Sequence, residues 1–445
     1  MTSGNFKVII VGGGPAGLVA AHALYQANID FVVLEQREEV TVDLGACLVL
    51  GPQNLRVMHQ LGLLGKLRDI GGELLSSKAF LLSGYEYKHS TDLQTLKDNH
   101  GAGLVAFHRA QLIQTIYDEL DESAKARYFT NKKVADIAST GEGVLVTCTD
   151  GSTYDGSIIL GADGVHSVTR RLMRTLALQQ DPNAVWDDEN PFTTEYKCMW
   201  CSFPRPSEPG VSFETTHKDQ SVMYITGPER GWILAYEKFP EPTKERHDYT
   251  DKDIEDFGQR IAEFPVNETL KVKDVFSRRL TAGIADLQEG IVKNWSWGRI
   301  VLVGDACHKF TPNAGLGLNN GIQDVVVLSN LLHSAIQTSP NGVPTNETLT
   351  DVFQRYRETR AEPLQKDYDK SALVTRLHAW VNSIHYVLNR FILSQNFVTN
   401  LMARFSTSPA FRKGFVLDYV RAAELPAGRV TWEHAIPSPT VESQL

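Results

Sequence analysis

The chain has 445 residues, 42% of them hydrophobic and 22% charged, the profile of a folded globular protein with about two or three domains at roughly 150 residues each. Forty-four basic against 53 acidic residues leave a net charge of −9, which argues against a nucleic-acid partner. Five cysteines, Cys47, Cys148, Cys198, Cys201 and Cys307, make an odd and low count for a disulfide framework and point to a reduced, intracellular, cytoplasmic setting.

In chain order, Val8 to Val11 reads as a short buried strand. Gly12 to Asn28 carries Leu18, Ala21, Leu24 and Tyr25 at helical spacing, and Phe31 to Leu34 is a second apolar strand. Neither strand alternates with polar residues, as expected of parallel strands covered on both faces. The first apolar run is too short for a secretory core of about 7–15 residues. Residues 102 to 121 predict a strand and an amphipathic helix with Leu112, Ile116, Tyr117 and Leu120 on one face. Val144 to Cys148 and Ser157 to Leu160 predict further strands.

From Asp181 to about Trp295 prolines become frequent and short strands alternate with turns. The clearest hairpin joins Val222–Thr226 to Trp232–Tyr236 through Gly227 to Gly231. After the strand Ile300 to Val303 come a glycine-rich loop and a helix, Gly321 to Ser334. Thr338 to Thr345 reads as a linker, and helix continues from Asp351 nearly to Phe415. No stretch reaches the about 18 apolar residues of a membrane span. Leu377 to Phe405 comes nearest and is broken by Asn382, Asn389, Arg390 and Arg404. The terminal Ser443-Gln444-Leu445 lacks the basic middle residue of a peroxisomal address.

Three motifs carry chemistry. Gly12-x-Gly14-x-x-Gly17 lies between a strand and a helix. Its glycines permit a tight turn, close backbone approach to a pyrophosphate, and close helix–strand packing. Glu35 ends the second strand, where a carboxylate accepts hydrogen bonds from ribose hydroxyls and repels a 2′-phosphate. The second motif is Gly161-Ala162-Asp163-Gly164, running on to Ser167 and Arg170. Alone it is an ordinary strand–turn–helix with Ser167 as a cap. The third is Gly304-Asp305-Ala306-Cys307-His308, followed by Pro312, Gly315, Gly317 and Asn319. An acid past a strand end suits a polyol, and a glycine-fed helix N-terminus suits developing negative charge.

Together, in this order and over nearly the whole chain, the three resemble the class A flavoprotein monooxygenases, the family of aromatic hydroxylases and squalene-type epoxidases. The resemblance implies an α/β fold: a discontinuous FAD-binding domain of the glutathione-reductase type (1–75, 102–180 and 290–345), a mostly antiparallel substrate sheet (76–101 and 181–289), and a C-terminal helical region (346–445). It implies FAD held by Gly12, Gly14, Ala16, Gly17 and Glu35 with Arg37, Gly45, Ala46 and Arg109, by Asp163, by Asp305 at the ribitol, and by Pro312, Gly315, Gly317, Leu318 and Asn319 at the isoalloxazine. It also implies NADPH or NADH as electron donor, O2 as co-substrate, and oxygen transfer through a flavin C4a-hydroperoxide.

The family often reads Gly-Gln-Gly-x-Asn at the flavin loop. Here the run is Gly315-Leu316-Gly317-Leu318-Asn319, which keeps the backbone donors. His308 to Asn313 resembles the fungal biosynthetic branch, which implies epoxidation or hydroxylation of a bulky apolar secondary metabolite, an indole alkaloid first and a prenylated meroterpenoid second. Relatives in that branch carry hydrophobic C-terminal helices, so peripheral membrane contact stays open, in a monomer or weak dimer.

Asp43, two residues before Gly45, is the first catalytic candidate, with a turn or cap aspartate as its alternative. Lys197 is the second, against a solvated lysine at a strand edge. Tyr224, Trp232 and Leu234 are candidate cavity liners, although parity alone does not say which face is which. No metal is expected. Cys198 and Cys201, three apart on a strand, point to opposite faces. Trp295-Ser296-Trp297 is followed by Gly298-Arg299, not the Ile-Pro of a flavin halogenase, and the surroundings of Lys78 offer no support for a halogenase lysine. His308 shows no acid or nucleophile pattern nearby. The rival readings are a halogenase or prenyl reductase on the same fold, and a flavin-free prenylated-protein carrier. Intact Gly12, Gly14, Gly17, Glu35 and Asp305 argue against the carrier.

Overall fold

The computed structural model describes residues 6–43, 45 and 47–439. Ala46 and the terminal Ser443 to Leu445 lie outside the described residues. The first strand, Lys7–Val11, runs parallel to Asp30–Leu34 on one side and Ile158–Gly161 on the other. Ile300–Leu302 and Tyr128–Phe129 extend this sheet in parallel, and Ser296–Trp297 closes it antiparallel. Val8, Ile9 and Ile10 are fully buried, as the missing polar alternation requires. The helix Pro15–Gln26 covers one face. An antiparallel sheet of Val134–Ser139, Val144–Cys148 and Thr153–Gly156 joins the fold beside it.

A second large sheet has eight strands, in the order His308–Lys309, Thr281–Ile291, Thr193–Pro204, Arg230–Thr243, Gln220–Thr226, Val211–His217, Ser76–Leu81 and Glu86–Ser90. All its pairs are antiparallel except Val211–His217 with Ser76–Leu81. The helices Asp251–Arg260 and Val272–Phe276 seal one face of it with Phe257, Val275 and Phe276. A fourth, three-stranded sheet is made by Cys47–Leu50, Leu104–His108 and Gly72–Leu74, with Leu104–His108 in the middle.

The long helix Asn346–His378 packs on the helix Leu316–Thr338. Its Leu349, Val352, Phe353 and Tyr356 belong to the core of the parallel sheet. The helix Asn346–His378 thus packs into the core of the parallel sheet. Among the described residues no helix is long and apolar enough to cross a membrane.

Candidate active site

The first glycine turn is built by close approach. Gly12 adopts φ +103°, and a Cβ there would stand 2.6 Å from the Ala162 carbonyl oxygen. A Cβ on Gly17 would stand 1.9 Å from the Gly12 carbonyl oxygen. A Cβ on Gly14 would meet nothing within 4 Å, because Gly14 borders open space. That space is a cavity of about 1300 Å³, larger than the roughly 300–1,000 Å³ of a single-ligand site and roomy enough for a cofactor and a substrate together.

Gly14, Ala16, Glu35, Arg37 and Arg109 line one end of the cavity. The helix Pro15–Gln26 has Gly14 at its N-cap and no side-chain cap, leaving its first-turn N–H groups for an anion. Glu35 accepts the Gly13 N–H at 2.7 Å and the Arg37 N–H at 2.9 Å. Its carboxylate therefore braces the turn and keeps spare lone pairs for a ribose. Burial, and then the charge of Arg37, lower the Arg109 guanidinium pKa, while Asp305 and Glu35 act in the opposite sense. A diphosphate at this end relieves that disfavoured charge. Gly45 adopts φ +120°, and a Cβ there would stand 3.1 Å from the Arg109 Cδ.

Asp163 also lines the cavity. It accepts hydrogen bonds from Ser167 Oγ at 2.5 Å and from Thr169 N–H at 2.9 Å, and Ser167 in turn caps the helix Val168–Gln180. Burial raises the Asp163 carboxyl pKa against those bonds.

Asp305, Pro312, Gly315, Gly317, Leu318 and Asn319 also line the cavity. Asp305 is paired with Lys309. The helix Leu316–Thr338 starts at Gly315, φ +65°, again with no side-chain cap. Two open helix N-termini thus face one cavity, which is the chemistry a dinucleotide with an electron-accepting ring requires. The residues present fit FAD.

The Asn319 side chain has a different task from its backbone. Its oxygen accepts the Gly51 N–H at 2.8 Å and an Asn54 Nδ2–H at 2.7 Å, and its amide donates to the Val49 carbonyl at 2.8 Å. It staples the glycine loop to the strand Cys47–Leu50 and the helix Pro52–Gln60. Behind the Gly304 turn lies a fully buried acid, Asp324. It accepts the Gly304 N–H at 3.0 Å and an Arg360 Nε–H at 2.8 Å, and contacts His308. His308 therefore has an acid partner after all, supplied from a helix sixteen residues on. Sequence proximity did not show it, because it is the fold that brings the two together. Cys307, His308 and Asp324 hold their ligand atoms within 4.8 Å of one another, but the Asp324 carboxylate is already shared among three partners.

The eight-stranded sheet supplies the remaining wall, and its register decides the faces. Met223 pairs with Leu234, and Ile225 with Trp232. Met223, Ile225 and Leu234 line the cavity. Trp232 shares their face but is sealed beneath, stacked on His108 with ring centroids 6.1 Å apart. Tyr224 pairs with Ile233 on the other face, packs with Phe203 and Phe213, and meets Ser207 through its hydroxyl at 2.7 Å. The placement of Tyr224 in the cavity is corrected, since one residue of parity separates it from Leu234.

The same parity removes Lys197 from the cavity wall. It pairs with Glu237 at 2.8 Å and lies over the Phe239 and Phe257 rings. Cys198 and Cys201 fall on opposite faces of that strand, in separate clusters. Asp43 also stands outside the cavity wall. It binds Arg230 at 2.9 Å and His108 at 2.9 Å. Burial opposes its charge, but Arg230 and His108 outweigh it and hold the carboxyl below its usual range. Its contacts clasp the strand Leu104–His108 to the strand Arg230–Thr243.

Beside Ser77, Lys78, Ser212 and Asn389, the polar lining contributed by the large sheet and the C-terminal helices includes Glu214 and His378, in direct contact. They come from the strand Val211–His217 and the last turn of the helix Asn346–His378. Neither is in a motif. Only the alternation Phe213 out, Glu214 in marked the strand, and no local signal marked the histidine.

A model of the FAD binding domain matches residues 5–362. The chain is 32% identical over 395 residues to the FAD-dependent monooxygenase ausM of Penicillium brasilianum, covering 87% of this chain and 82% of that one. It is 32% identical over 453 residues to the FAD-dependent monooxygenase srdH of Neurospora crassa, covering 97% and 99%. Among solved structures it resembles Klebsiella pneumoniae HpxO complexed with FAD and uric acid, with a TM-score of 0.72 at 19% identity over 91% of this chain and 98% of that one. At that identity the likeness shows the fold alone.

Proposed function

The chain belongs to the FAD-binding family of class A flavin monooxygenases, and from that premise we propose that it inserts one oxygen atom, as an epoxide or a hydroxyl, into a bulky apolar fungal secondary metabolite, with NADPH or NADH as electron donor. The observation that carries the reading is the single cavity, in which the two glycine-fed helix starts share walls with Met223, Ile225, Leu234, Leu377 and Leu388. FAD, when bound, accepts a hydride from a pyridine nucleotide and activates O2.

The chain's own residues do the rest. The helix start at Gly14 and Arg109 would hold the diphosphate, Glu35 the ribose, and Asp305 the ribitol of a bound FAD, and the backbone at Gly315 to Leu318 would offer its N–H groups to the flavin ring. Apolar side chains from the large sheet and the C-terminal helices exclude water from the reacting atoms. Glu214, set by His378, orients a polar group of the substrate.

Anaerobic bleaching of the bound flavin by NADPH and NADH, alone and with indole alkaloids and prenylated meroterpenoids, tests the reaction and ranks the two substrate classes. One class accelerating bleaching, with product gaining one oxygen in mass on aeration, is the expected result. A chlorinated or hydrogenated product favours the halogenase or reductase chemistry instead. Glu214→Gln is expected to raise KM about tenfold with kcat changed by less than about twofold, the signature of lost uniform binding through one charged hydrogen bond. An unchanged KM removes Glu214 from substrate binding.

A further inference from the structure

Ten of the eighteen exposed large apolar side chains among the described residues lie between Leu373 and Phe405. Ile384, Phe391, Phe397 and Phe405 are 70%, 53%, 67% and 70% exposed. They sit on the short helices Ser383–Val387 and Asn396–Met402 and the wide turns that follow each. Single exposed apolar residues are ordinary, but a cluster of this density marks an interaction surface.

Its charge is as unusual as its apolarity. From Lys370 to Leu417 the chain has six basic residues and no acidic one, in a protein of net charge −9. Arg376 is taken by Glu195 and Glu289, and Arg412 by Glu433. Arg390 and Arg404 make no ion pair among the described residues. Arg390 lies against the Tyr85, Tyr87 and Phe391 rings, which flank the patch with aromatic side chains. Exposed phenylalanines and leucines with unpaired arginines among them and no acids match an anionic lipid surface, not a second copy of an acidic chain.

The patch is continuous with the cavity. Leu373 and Met402 line the cavity while remaining 48% and 46% exposed, so the apolar surface surrounds an opening. Leu388 and Leu393, from the same segment, also line the cavity.

We propose that the segment from Leu373 to Phe405 lies in the plane of an anionic lipid bilayer, with the mouth of the cavity facing the lipid so that an apolar substrate enters from the membrane. The proposal needs no membrane span and does not depend on which oxygenation the site performs.

The test is co-flotation of the full flavin-loaded protein with phosphatidylcholine vesicles, with and without phosphatidylserine at about 30%. The wild type is expected to float with the anionic vesicles and to release at high salt. Phe391→Ser/Phe397→Ser/Phe405→Ser is expected to lower the bound fraction at least about tenfold on both compositions. Arg390→Gln/Arg404→Gln is expected to lose about fivefold per arginine on the anionic vesicles only. All these side chains are surface groups outside the flavin walls, so flavin content and melting temperature serve as controls for folding. A wild type that floats with neither vesicle, or a triple phenylalanine variant that floats as well as wild type, overturns the proposal. So does a wild-type dimer that the phenylalanine changes dissociate, since a second copy is then what covers the patch.

Discussion

A Gly17→Ala protein is expected to purify colourless and less stable than the wild type, whereas Gly14→Ala is expected to fold normally and bind flavin weakly. The two glycines lie three residues apart and fail for different reasons. The added Cβ of Gly17→Ala stands 1.9 Å from the Gly12 carbonyl oxygen, and the atom it meets is backbone. The helix Pro15–Gln26 must back away from the strand Lys7–Val11, opening a core in which Leu18, Val19 and Ile10 are fully buried. Overpacking of this kind costs about 1–3 kcal/mol, or several degrees of melting temperature in a chain of this length. The displaced helix start no longer aims its N–H groups at the diphosphate, so flavin affinity falls by at least about a hundredfold.

In Gly14→Ala the new Cβ meets no protein atom within 4 Å. The melting temperature of the flavin-free protein stays within about 1 °C of wild type, and the loss is confined to the ligand. Flavin content after gel filtration and melting curves of the flavin-free proteins separate the cases. A Gly17→Ala protein with stoichiometric flavin and unchanged melting shows that the close helix–strand approach is not needed.

That contrast also shows what was legible in the sequence. Gly12, Gly14 and Gly17 were readable because a turn, an open anion site and a close packing contact each tolerate almost no other residue, and the constraint is local. Val8 to Val11 and Phe31 to Leu34 were readable because strands covered on both faces lose polar alternation. The substrate wall was not. Tyr224 and Leu234 are both large residues on one hairpin, and only the pairing of Met223 with Leu234 tells which strand phase faces the cavity. Asp43 lies in a loop near Gly45, as its position predicts. Its direction was set by Arg230, which lies 187 residues away in sequence and which no local pattern connects to it. Glu214 with His378 and Asp324 with His308 belong to the same class: pairs made by tertiary packing, in which neither member is remarkable alone.

The second large effect is expected at Asp324. Asp324→Ala leaves the Arg360 guanidinium and His308 buried with no acid between them, and removing one member of such a cluster costs about 3–5 kcal/mol. It also strips the Gly304 N–H of its acceptor, and Gly304, at φ +59°, positions Asp305 at the cavity wall. Two losses are therefore superimposed, one of stability and one of flavin affinity. A second variant separates them: Asp324→Leu combined with Arg360→Met and His308→Phe replaces the charged cluster with apolar side chains against Phe310 and Tyr356. Exchange of a whole buried cluster for apolar groups is often neutral for stability. This variant is expected to recover most of the lost unfolding free energy, yet to bind flavin at least about tenfold more weakly than wild type, because no side chain accepts the Gly304 N–H.

The pH dependence carries a matching sign. Burial opposes the Asp324 charge, but His308 and Arg360 outweigh it and hold the carboxyl below its ordinary value. A depressed carboxyl stabilises the fold above the unfolded value of about 3.9 and loses that contribution as pH falls through the folded value. Wild type should therefore shed stability steeply below about pH 4, and the apolar triple variant less so. Equal acid sensitivity in the two proteins, together with full flavin occupancy in the triple variant, shows that Asp324 neither holds the turn nor carries the cluster's charge.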